Sequence, residues 1–291
     1  MSVAETLRAA VAAGTPAALV TVVEARGSTP REAGVTMTVT ATDIAGTIGG
    51  GRLEYDAIER ARALLASGED SAAIDVPLGP DIGQCCGGRV RLAIRRADAA
   101  LMATMLADEE TRRLARPAVL IFGAGHTGRA LAAALALLPL NVRLIDSRPG
   151  TLEGVPDAVT AVAAALPEAE IADAPAGAAY LVMTHAHSLD FMLTAAALAR
   201  GDAAYVGMIG SATKRERFRR QLEAEGRGPD IARLTLPIGG PALRDKRPEV
   251  IAALTAAEIL TCLLSDQQEK LTDRFAGAAS QCNSHPARST G

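Results

Sequence analysis

The 291-residue sequence contains no tryptophan, and aromatic residues make up only 2% of it. Without aromatic side chains there is no stacking platform for single-stranded nucleic acid. An excess of positive charge is also missing, because 30 Lys and Arg residues stand against 33 Asp and Glu residues, for a formal net charge of −3. A chain without a basic field does not attract a phosphate backbone over distance. We therefore predict that nucleic acid is not a partner.

Long apolar runs and an export signal are missing as well. The longest apolar stretch, residues 130–140, is too short to cross a bilayer and contains Pro139. The N-terminus carries the capping-box pattern Ser2-Val3-Ala4-Glu5, which is typical of a helix start rather than of a signal peptide. Four cysteines without framework spacing fit a reducing compartment. Together these absences predict a cytoplasmic protein that does not contact a membrane.

The length and the change of pattern along the chain predict two domains. The first part mixes helical segments with β-rich segments that favour local strand pairing, which indicates an α+β domain at residues 1–116. The second part alternates strand and helix, with strands at 119–122, 142–145, 180–183 and 204–209. This alternation predicts an α/β fold, a Rossmann-like domain with a mainly parallel sheet at 117–276. The small, polar segment 277–291 is predicted to be a disordered tail.

Two adjacent cysteines occupy a glycine-rich turn, Gln84-Cys85-Cys86-Gly87-Gly88. Neighbouring cysteines cannot form an ordinary disulfide without distorting the peptide between them. Thiolates are soft ligands and good nucleophiles, so the pair indicates metal capture, sulfur handling or redox chemistry. The alternative is that both are small apolar residues of a core.

A second glycine-rich turn, Gly123-Ala124-Gly125-His126-Thr127-Gly128, follows a predicted strand and opens a predicted helix. In this pattern Gly123 permits the tight turn, Gly125 lets a phosphate approach the backbone, and Gly128 permits close helix packing. Asp146, at the end of the next strand, would accept a hydrogen bond from a ribose if the ligand were NAD, and Arg148 would meet an extra phosphate. The alternatives are a scaffold without a nucleotide, and a solvated surface position for Arg148.

Further polar clusters follow the later strands. His185 and His187 form a His-x-His pattern, for which we prefer ligand contact or helix capping, with Ser188 or Asp190 as the cap, over a zinc site. Lys214 and Arg215 open a helix against its dipole, which indicates recruitment of an anion or a solvated basic face. In the first domain, three arginines flank the glycine-rich turns and suit an oxyanion or a solvated surface: Arg26, Arg31 and Arg52.

The combined motifs resemble the XdhC/CoxI family of xanthine dehydrogenase accessory proteins. In the first half the resemblance is carried by the segments at 26–31, 49–54 and 84–88. In the second half it is carried by 121–128, 145–149, Thr184-His185, 207–211 and 236–239. One departure is the segment 239–248, which lacks the Gly-Ala-x-Thr-Pro run expected before the last helix and puts the contacts of that loop in doubt.

The resemblance implies a chaperone that binds the molybdenum cofactor in its molybdopterin form, protects it, supports its sulfuration and hands it to apo xanthine dehydrogenase. The implied partners are the molybdenum subunit of that enzyme and a cysteine desulfurase, and a homodimer is expected. The implied roles are metal contact by Cys85 and Cys86, and donation by the Gln84 amide to a molybdenum oxo group. The resemblance also implies cofactor binding by Gly123, Gly125, His126 and Gly128 of the glycine turn and by Asp146. Arg31 and Arg52 are implied as weaker contacts.

Two other classes of protein remain open at this point. An NAD(P)-dependent oxidoreductase is favoured by Asp146 after the glycine turn, although no catalytic acid–base pair is evident. A zinc hydrolase using His185 and His187 is less favoured, because few other histidines are present to complete a metal shell.

Overall fold

A computed structural model describes residues 2–78, 87–240 and 245–263. The chain divides into two compact units, Met1–Arg112 and Arg113–Gly291. The sequence places the domain boundary at 116/117, and that boundary stays a prediction. In the part of the chain that is described, no helix has the length and apolar character needed to cross a membrane.

The described part of the first unit is a five-stranded antiparallel sheet with helices on both faces. The strands follow the order β3-β2-β1-β5-β4 and run over β1 (Ala17–Arg26), β2 (Thr36–Thr40), β3 (Ile44–Gly46), β4 (Ser71–Pro77) and β5 (Arg89–Arg96). The helices are α1 (Val3–Ala12), α2 (Gly51–Ser67) and α3 (Ala99–Leu114).

Alternating side chains of the first sheet enter two apolar cores. Val20 and Leu92 pack against the buried stripe of α2, whereas Leu19 packs with α1 and α3 on the opposite face. Helix α1 starts at the predicted capping box, where the Ser2 hydroxyl accepts the Glu5 N–H and the Glu5 carboxylate accepts the Ser2 N–H. The predicted α+β character of this half is confirmed.

The described part of the second unit is a six-stranded parallel sheet in the order β11-β10-β9-β6-β7-β8. Its strands are β6 (Ala118–Phe122), β7 (Asn141–Asp146), β8 (Val159–Ala163), β9 (Ala179–Val182), β10 (Tyr205–Met208) and β11 (Leu234–Thr235). Its helices are α4 (His126–Leu135), α5 (Glu168–Ala172), α6 (His187–Arg200), α7 (Ala212–Ala224) and α8 (residues 248–263).

The strand order places a crevice at one end of the sheet. From β6 the chain moves outward through β7 to β8, and then returns to the other side of β6 with β9. At such a switch of direction the loops after the two central strands separate and leave room for a ligand. The predicted Rossmann-like domain is confirmed, with α4 and α8 packed on one face of the sheet and α5 to α7 on the other.

Sequence patterns missed the short or edge elements β3, β8, β11 and α5. In β8 the pattern Val-Thr-Ala-Val-Ala contains one buried position, Val159. A strand at the edge of a sheet with little burial lacks the continuous apolar run that marks the central strands. The missed elements are therefore those that packing leaves partly exposed.

Candidate functional site

The glycine turn between β6 and α4 forms one wall of the crevice, and its three glycines have different surroundings. Gly123 has a φ of +110°, and a Cβ there would overlap the backbone of Met183 at the end of β9. A Cβ on Gly128 would overlap the carbonyl oxygen of Gly123. Around Gly125, in contrast, no described atom lies within 4 Å of the Cβ position. Two glycines thus allow close packing, and the third faces open space.

These surroundings predict losses of different size for two glycine-to-alanine changes. Gly128→Ala is expected to lower the free energy of unfolding by about 1–3 kcal/mol, because the turn and α4 must separate to admit a methyl group. Gly125→Ala is expected to lower it by less than about 1 kcal/mol, since only the small N-cap preference for glycine is lost. Urea unfolding of both variants measures the difference, and equal losses would contradict this account of the turn.

Asp146 ends β7 beside the glycine turn, and four hydrogen bonds fill both of its carboxylate oxygens. Oδ2 accepts the Ala124 N–H at 2.8 Å and one guanidinium N–H of Arg148 at 2.9 Å. Oδ1 accepts the Arg148 backbone N–H and the Arg148 Nε–H, both at 2.9 Å. A carboxylate offers about four acceptor positions, so no position is left for another donor.

The environment of Asp146 lowers its pKa to about 2. Burial acts to raise the pKa, but the hydrogen bonds from Arg148 and from the Ala124 amide outweigh it. The same contacts raise the pKa of Arg148, first through its hydrogen bonds to Asp146. For an NAD ligand the sequence predicted a ribose contact at Asp146, and for Arg148 an extra phosphate or a solvated surface position; the structure pairs the two residues with each other.

A buried ion pair supports Thr184, which lines the crevice. Lys214 Nζ donates to Asp190 Oδ2 at 2.5 Å and to the Ile209 carbonyl at 2.8 Å. Asp190 Oδ1 accepts the backbone N–H of Thr184 at 2.8 Å and its hydroxyl at 2.7 Å. The side chains of Asp190 and Lys214 are 1% and 10% exposed. The pair therefore joins the ends of β9 and β10 to the first turns of α6 and α7.

This network changes the interpretation of the basic residues that open α7. The anion near Lys214 is the chain's own Asp190, and Arg215 donates to the carbonyls of Leu234 and Ile231. Neither cation is directed to an external anion in this arrangement. Asp190 holds Thr184 and Lys214 rather than capping α6, whose N-cap is Ala186.

Two clefts adjoin the glycine turn, and they differ in the residue types that line them. The polar cleft, of about 700 Å³, is lined by Gly125, His126, Arg129, Arg148, Thr151 and Glu153 among others. The apolar cleft, of about 220 Å³, is lined mainly by Phe122, Ile145, Leu166, Pro167, Met192 and Leu193. Thr184 and His185 line both clefts. The end of β9 thus separates an apolar compartment from one rich in donors.

The two histidines after β9 lie at the surface. His185 contributes to both clefts, whereas His187 begins α6 and lines a separate shallow groove. Within residues 2–78, 87–240 and 245–263, no group of three His, Cys, Asp or Glu side chains is arranged to hold a metal ion. The described residues therefore give the zinc hydrolase alternative no site.

In the first unit, the sequence motifs that lie far apart in the chain meet in space. A Cβ on Gly49 would lie 2.6 Å from the Pro30 side chain, so the 49–51 turn packs on the 26–31 loop. A Cβ on Gly88 would overlap the Ser28 carbonyl oxygen, and Ser28 forms a parallel β-bridge with Gly87. The loop after β1 therefore contacts both glycine-rich segments.

Glu54 holds the turn that leads into α2. One of its carboxylate oxygens accepts the Thr47 hydroxyl at 2.5 Å, the Ile48 N–H at 3.0 Å and the Gly50 N–H at 3.1 Å. A carboxylate in the first turn also faces the positive end of the helix dipole. This acidic residue explains how three consecutive glycines with positive φ, at 49–51, stay ordered.

The three arginines predicted to suit an oxyanion are all exposed in this unit, and Arg26 pairs with Glu24. Arg52 donates to Asp56 at 2.7 Å on the surface of α2. Arg31 makes no ion pair with another described residue and lies beside the 49–51 turn. Gln84, Cys85 and Cys86 lie outside the described residues, and so do residues 241–244 of the 239–248 segment that departs from the family pattern.

Comparison with known proteins assigns both halves of the chain. The "XdhC and CoxI family" model matches residues 10–75, and the "XdhC Rossmann domain" model matches residues 119–259. The uncharacterized protein YqeB of Escherichia coli (strain K12) is 29% identical over 253 residues, which cover 84% of this chain and 43% of YqeB. The chain thus spans less than half the length of that relative.

A solved structure shares the overall architecture. A Bacillus halodurans protein described as a xanthine dehydrogenase superposes with a TM-score of 0.73 at 17% identity, covering 91% of this chain and 96% of that one. At this identity the likeness concerns the fold. The two family models, one over each half of the chain, lead to one assignment: the chain belongs to the XdhC and CoxI family.

Proposed function

We propose that this chain binds the molybdenum cofactor in its molybdopterin form and acts in the maturation of xanthine dehydrogenase. In this role it protects the cofactor, supports its sulfuration and delivers it to the apoenzyme. Family membership supports the maturation role. The chemistry of the crevice supports a cargo that ends in a phosphate.

The observation that carries the proposal is the filled carboxylate of Asp146 beside the open Gly125. An NAD(P)-dependent oxidoreductase uses an acidic residue at this position to bind the ribose. Asp146 has no acceptor position left, because Ala124 and Arg148 occupy all of them. Asp146, which favoured the oxidoreductase, therefore binds other residues of the protein and is not available to a ribose. The glycine turn at Gly125, where a phosphate would bind, stays open.

The residues of the polar cleft fit the phosphate end of the cargo. Gly125 and His126 are exposed at the start of α4, where backbone amides and the helix dipole favour an anion. Arg129 lines the same cleft and adds positive charge, whereas the charge of Arg148 is paired with Asp146. We assign the phosphate of the cofactor to this cleft, with His126 and Gly125 nearest to it.

For the molybdenum end we propose Cys85 and Cys86, whose thiolates are soft ligands, with the Gln84 amide as a donor to an oxo group. The exposed guanidinium groups of Arg31 and Arg52 are proposed as weaker contacts to anionic groups. The bound cofactor supplies the exchangeable ligand on molybdenum. A cysteine desulfurase is proposed as the sulfur source, the molybdenum subunit of xanthine dehydrogenase as the recipient, and a cytoplasmic homodimer as the working form.

Molybdenum content and pterin fluorescence test the proposal directly. We expect protein purified without oxygen from cells that make the cofactor to retain both near one equivalent. In the double variant Cys85→Ser, Cys86→Ser we expect the molybdenum content to fall at least about tenfold, because a hydroxyl is a poor replacement for a soft thiolate. Cys282→Ser, in the C-terminal segment, is the matched control and should retain it.

Three results would contradict separate parts of the proposal. The absence of molybdenum and pterin from the wild type would overturn cofactor carriage. Equal retention by the double variant and by Cys282→Ser would remove the metal role of the cysteine pair. Full retention by Gly125→Ala, a change that the surrounding space tolerates, would remove the phosphate assignment.

A further inference from the structure

Strand β4 forms one edge of the antiparallel sheet, and within the described residues it pairs with β5 alone. The pairing with β5 is regular from Ser71 to Pro77, without a bulge. Natural proteins block a free edge with a lysine, a bulge or a proline inside the strand, because an unblocked edge pairs with other chains. β4 has no lysine, and its proline, Pro77, is the last residue of the strand. In the described part of this unit, the edge is therefore open to a further strand.

The hydrogen bonds that flank β4 show which of its backbone groups point outward. The Asp70 carbonyl accepts the Arg96 N–H at 2.8 Å, and the Leu78 N–H donates to the Gly88 carbonyl at 2.7 Å. Backbone groups alternate in direction along an antiparallel strand, so the even-numbered residues of β4 face β5. Three odd-numbered residues turn both their N–H and their C=O away from the sheet: Ser71, Ala73 and Asp75.

We propose that β4 pairs with β4 of a second copy of this chain, antiparallel and about a two-fold axis at Ala73. Ala73 then lies opposite its own counterpart, and Ser71 lies opposite Asp75 of the partner subunit. Three outward residues on each chain form a ladder of about six interchain hydrogen bonds. The two five-stranded sheets thereby join into one continuous sheet.

The side chains of β4 are complementary to themselves in this arrangement. Asp75 accepts two hydrogen bonds from Arg89, at 2.7 and 2.8 Å, and keeps acceptor positions that take the Ser71 hydroxyl of the partner subunit. On the other face of the strand, Ala72 and Ile74 are only partly buried against α2. Across the axis each lies opposite the other, so the pairing removes both from water.

The two neighbouring arrangements have faults that this one avoids. A shift of the axis towards the start of β4 places the Asp75 carboxylate opposite that of Glu69, and like charges directly opposite each other destabilise a strand pair. A shift towards the end of β4 places Ser71 opposite Pro77, whose nitrogen cannot donate to the Ser71 carbonyl. The sequence of the strand therefore favours the axis at Ala73.

This interface deepens the homodimer of the proposed function and rests on that part of it alone. The mass of the assembly is measured on cofactor-free protein, so the result does not depend on molybdenum content. A monomeric wild type would overturn the homodimer and this interface together, whereas cofactor carriage would stand.

Charges placed on the two-fold axis test the pairing, because a residue on the axis faces itself. Sedimentation equilibrium of the full chain is expected to show a dimer with a Kd of about 1–100 µM, since one ladder buries less than the roughly 1,600 Å² of a standard interface. Ala73→Lys and Ala73→Asp are each expected to raise this Kd about fivefold or more, because like charges meet. An equimolar mixture of the two variants should restore the dimer, since lysine then faces aspartate.

The same changes at Ala103, an exposed alanine of α3, are the matched control and should leave the Kd unchanged. Equal effects at Ala73 and Ala103 would overturn the location of the interface. A mixture that dimerises no better than either Ala73 variant alone would overturn the axis at this residue. A dimer that is tightened by Ala73→Lys alone would overturn the alignment, because the lysine would then face Asp75.

Discussion

Replacing Lys214 by methionine is expected to lower the free energy of unfolding by about 3–5 kcal/mol, because the substitution strands a buried charge. Asp190 would keep its carboxylate away from water with only Thr184 as a partner. Methionine has a length similar to that of lysine, so the loss reports the missing charge rather than a cavity. Urea unfolding at neutral pH measures it.

Two comparisons make this prediction specific. Lys246→Met removes an exposed amine and should change the free energy of unfolding by less than about 0.5 kcal/mol. In the double variant Asp190→Asn, Lys214→Met no buried charge remains, so part of the stability should return. The buried-pair account fails if Lys214→Met unfolds no more easily than Lys246→Met.

Asp146→Asn is expected to lower the free energy of unfolding at pH 7 by about 3 kcal/mol. The amide keeps the shape of the side chain. Its NH₂ group, however, would face N–H groups that donate hydrogen bonds to the carboxylate in the wild type. The pKa of Asp146 falls from an ordinary value of 3.8 to about 2 in the folded protein. This difference alone corresponds to about 2.4 kcal/mol of stability when the group is ionised in both states.

The sign of the pH dependence follows from the lowered pKa. The stabilisation is complete above the unfolded pKa of 3.8 and is lost as the pH falls towards the folded value of about 2. About half of it should remain at pH 3. The difference in unfolding free energy between the wild type and Asp146→Asn should therefore shrink between pH 5 and pH 2. A difference that stays constant over this range would show that Asp146 does not titrate as its contacts require.

The fold was predictable in the places where one local rule acts. The spacing of Gly123, Gly125 and Gly128 between a strand and a helix predicted the crevice, because Gly123 and Gly128 are each required by a close backbone contact. Ser2 and Glu5 likewise predicted the start of α1. Edge strands such as β8 form because they pair with a neighbouring strand, and their own sequence carries little apolar pattern. They were therefore missed.

The site was less predictable, because its polar groups bind each other across the chain. The dipole argument correctly identified Lys214 as an unusual cation, but the partner lies 24 residues earlier in α6. Asp146 and Arg148 are only two residues apart. Even so, the sequence cannot reveal that both oxygens of the carboxylate are filled. Contacts between side chains, rather than the elements that carry them, decide which groups stay available to a ligand.

Because the Lys214 amine is buried, its rate of chemical labelling can be used to follow local opening of the structure around it. The sequence has three lysines, at 214, 246 and 270, so nearly all of its cationic charge resides on arginine, which acylating reagents do not modify at neutral pH. The Lys214 amine is held between Asp190 and the Ile209 carbonyl. A succinimidyl ester can therefore react there only when the structure around Lys214 opens, and the rate of labelling at this lysine measures the frequency of that opening.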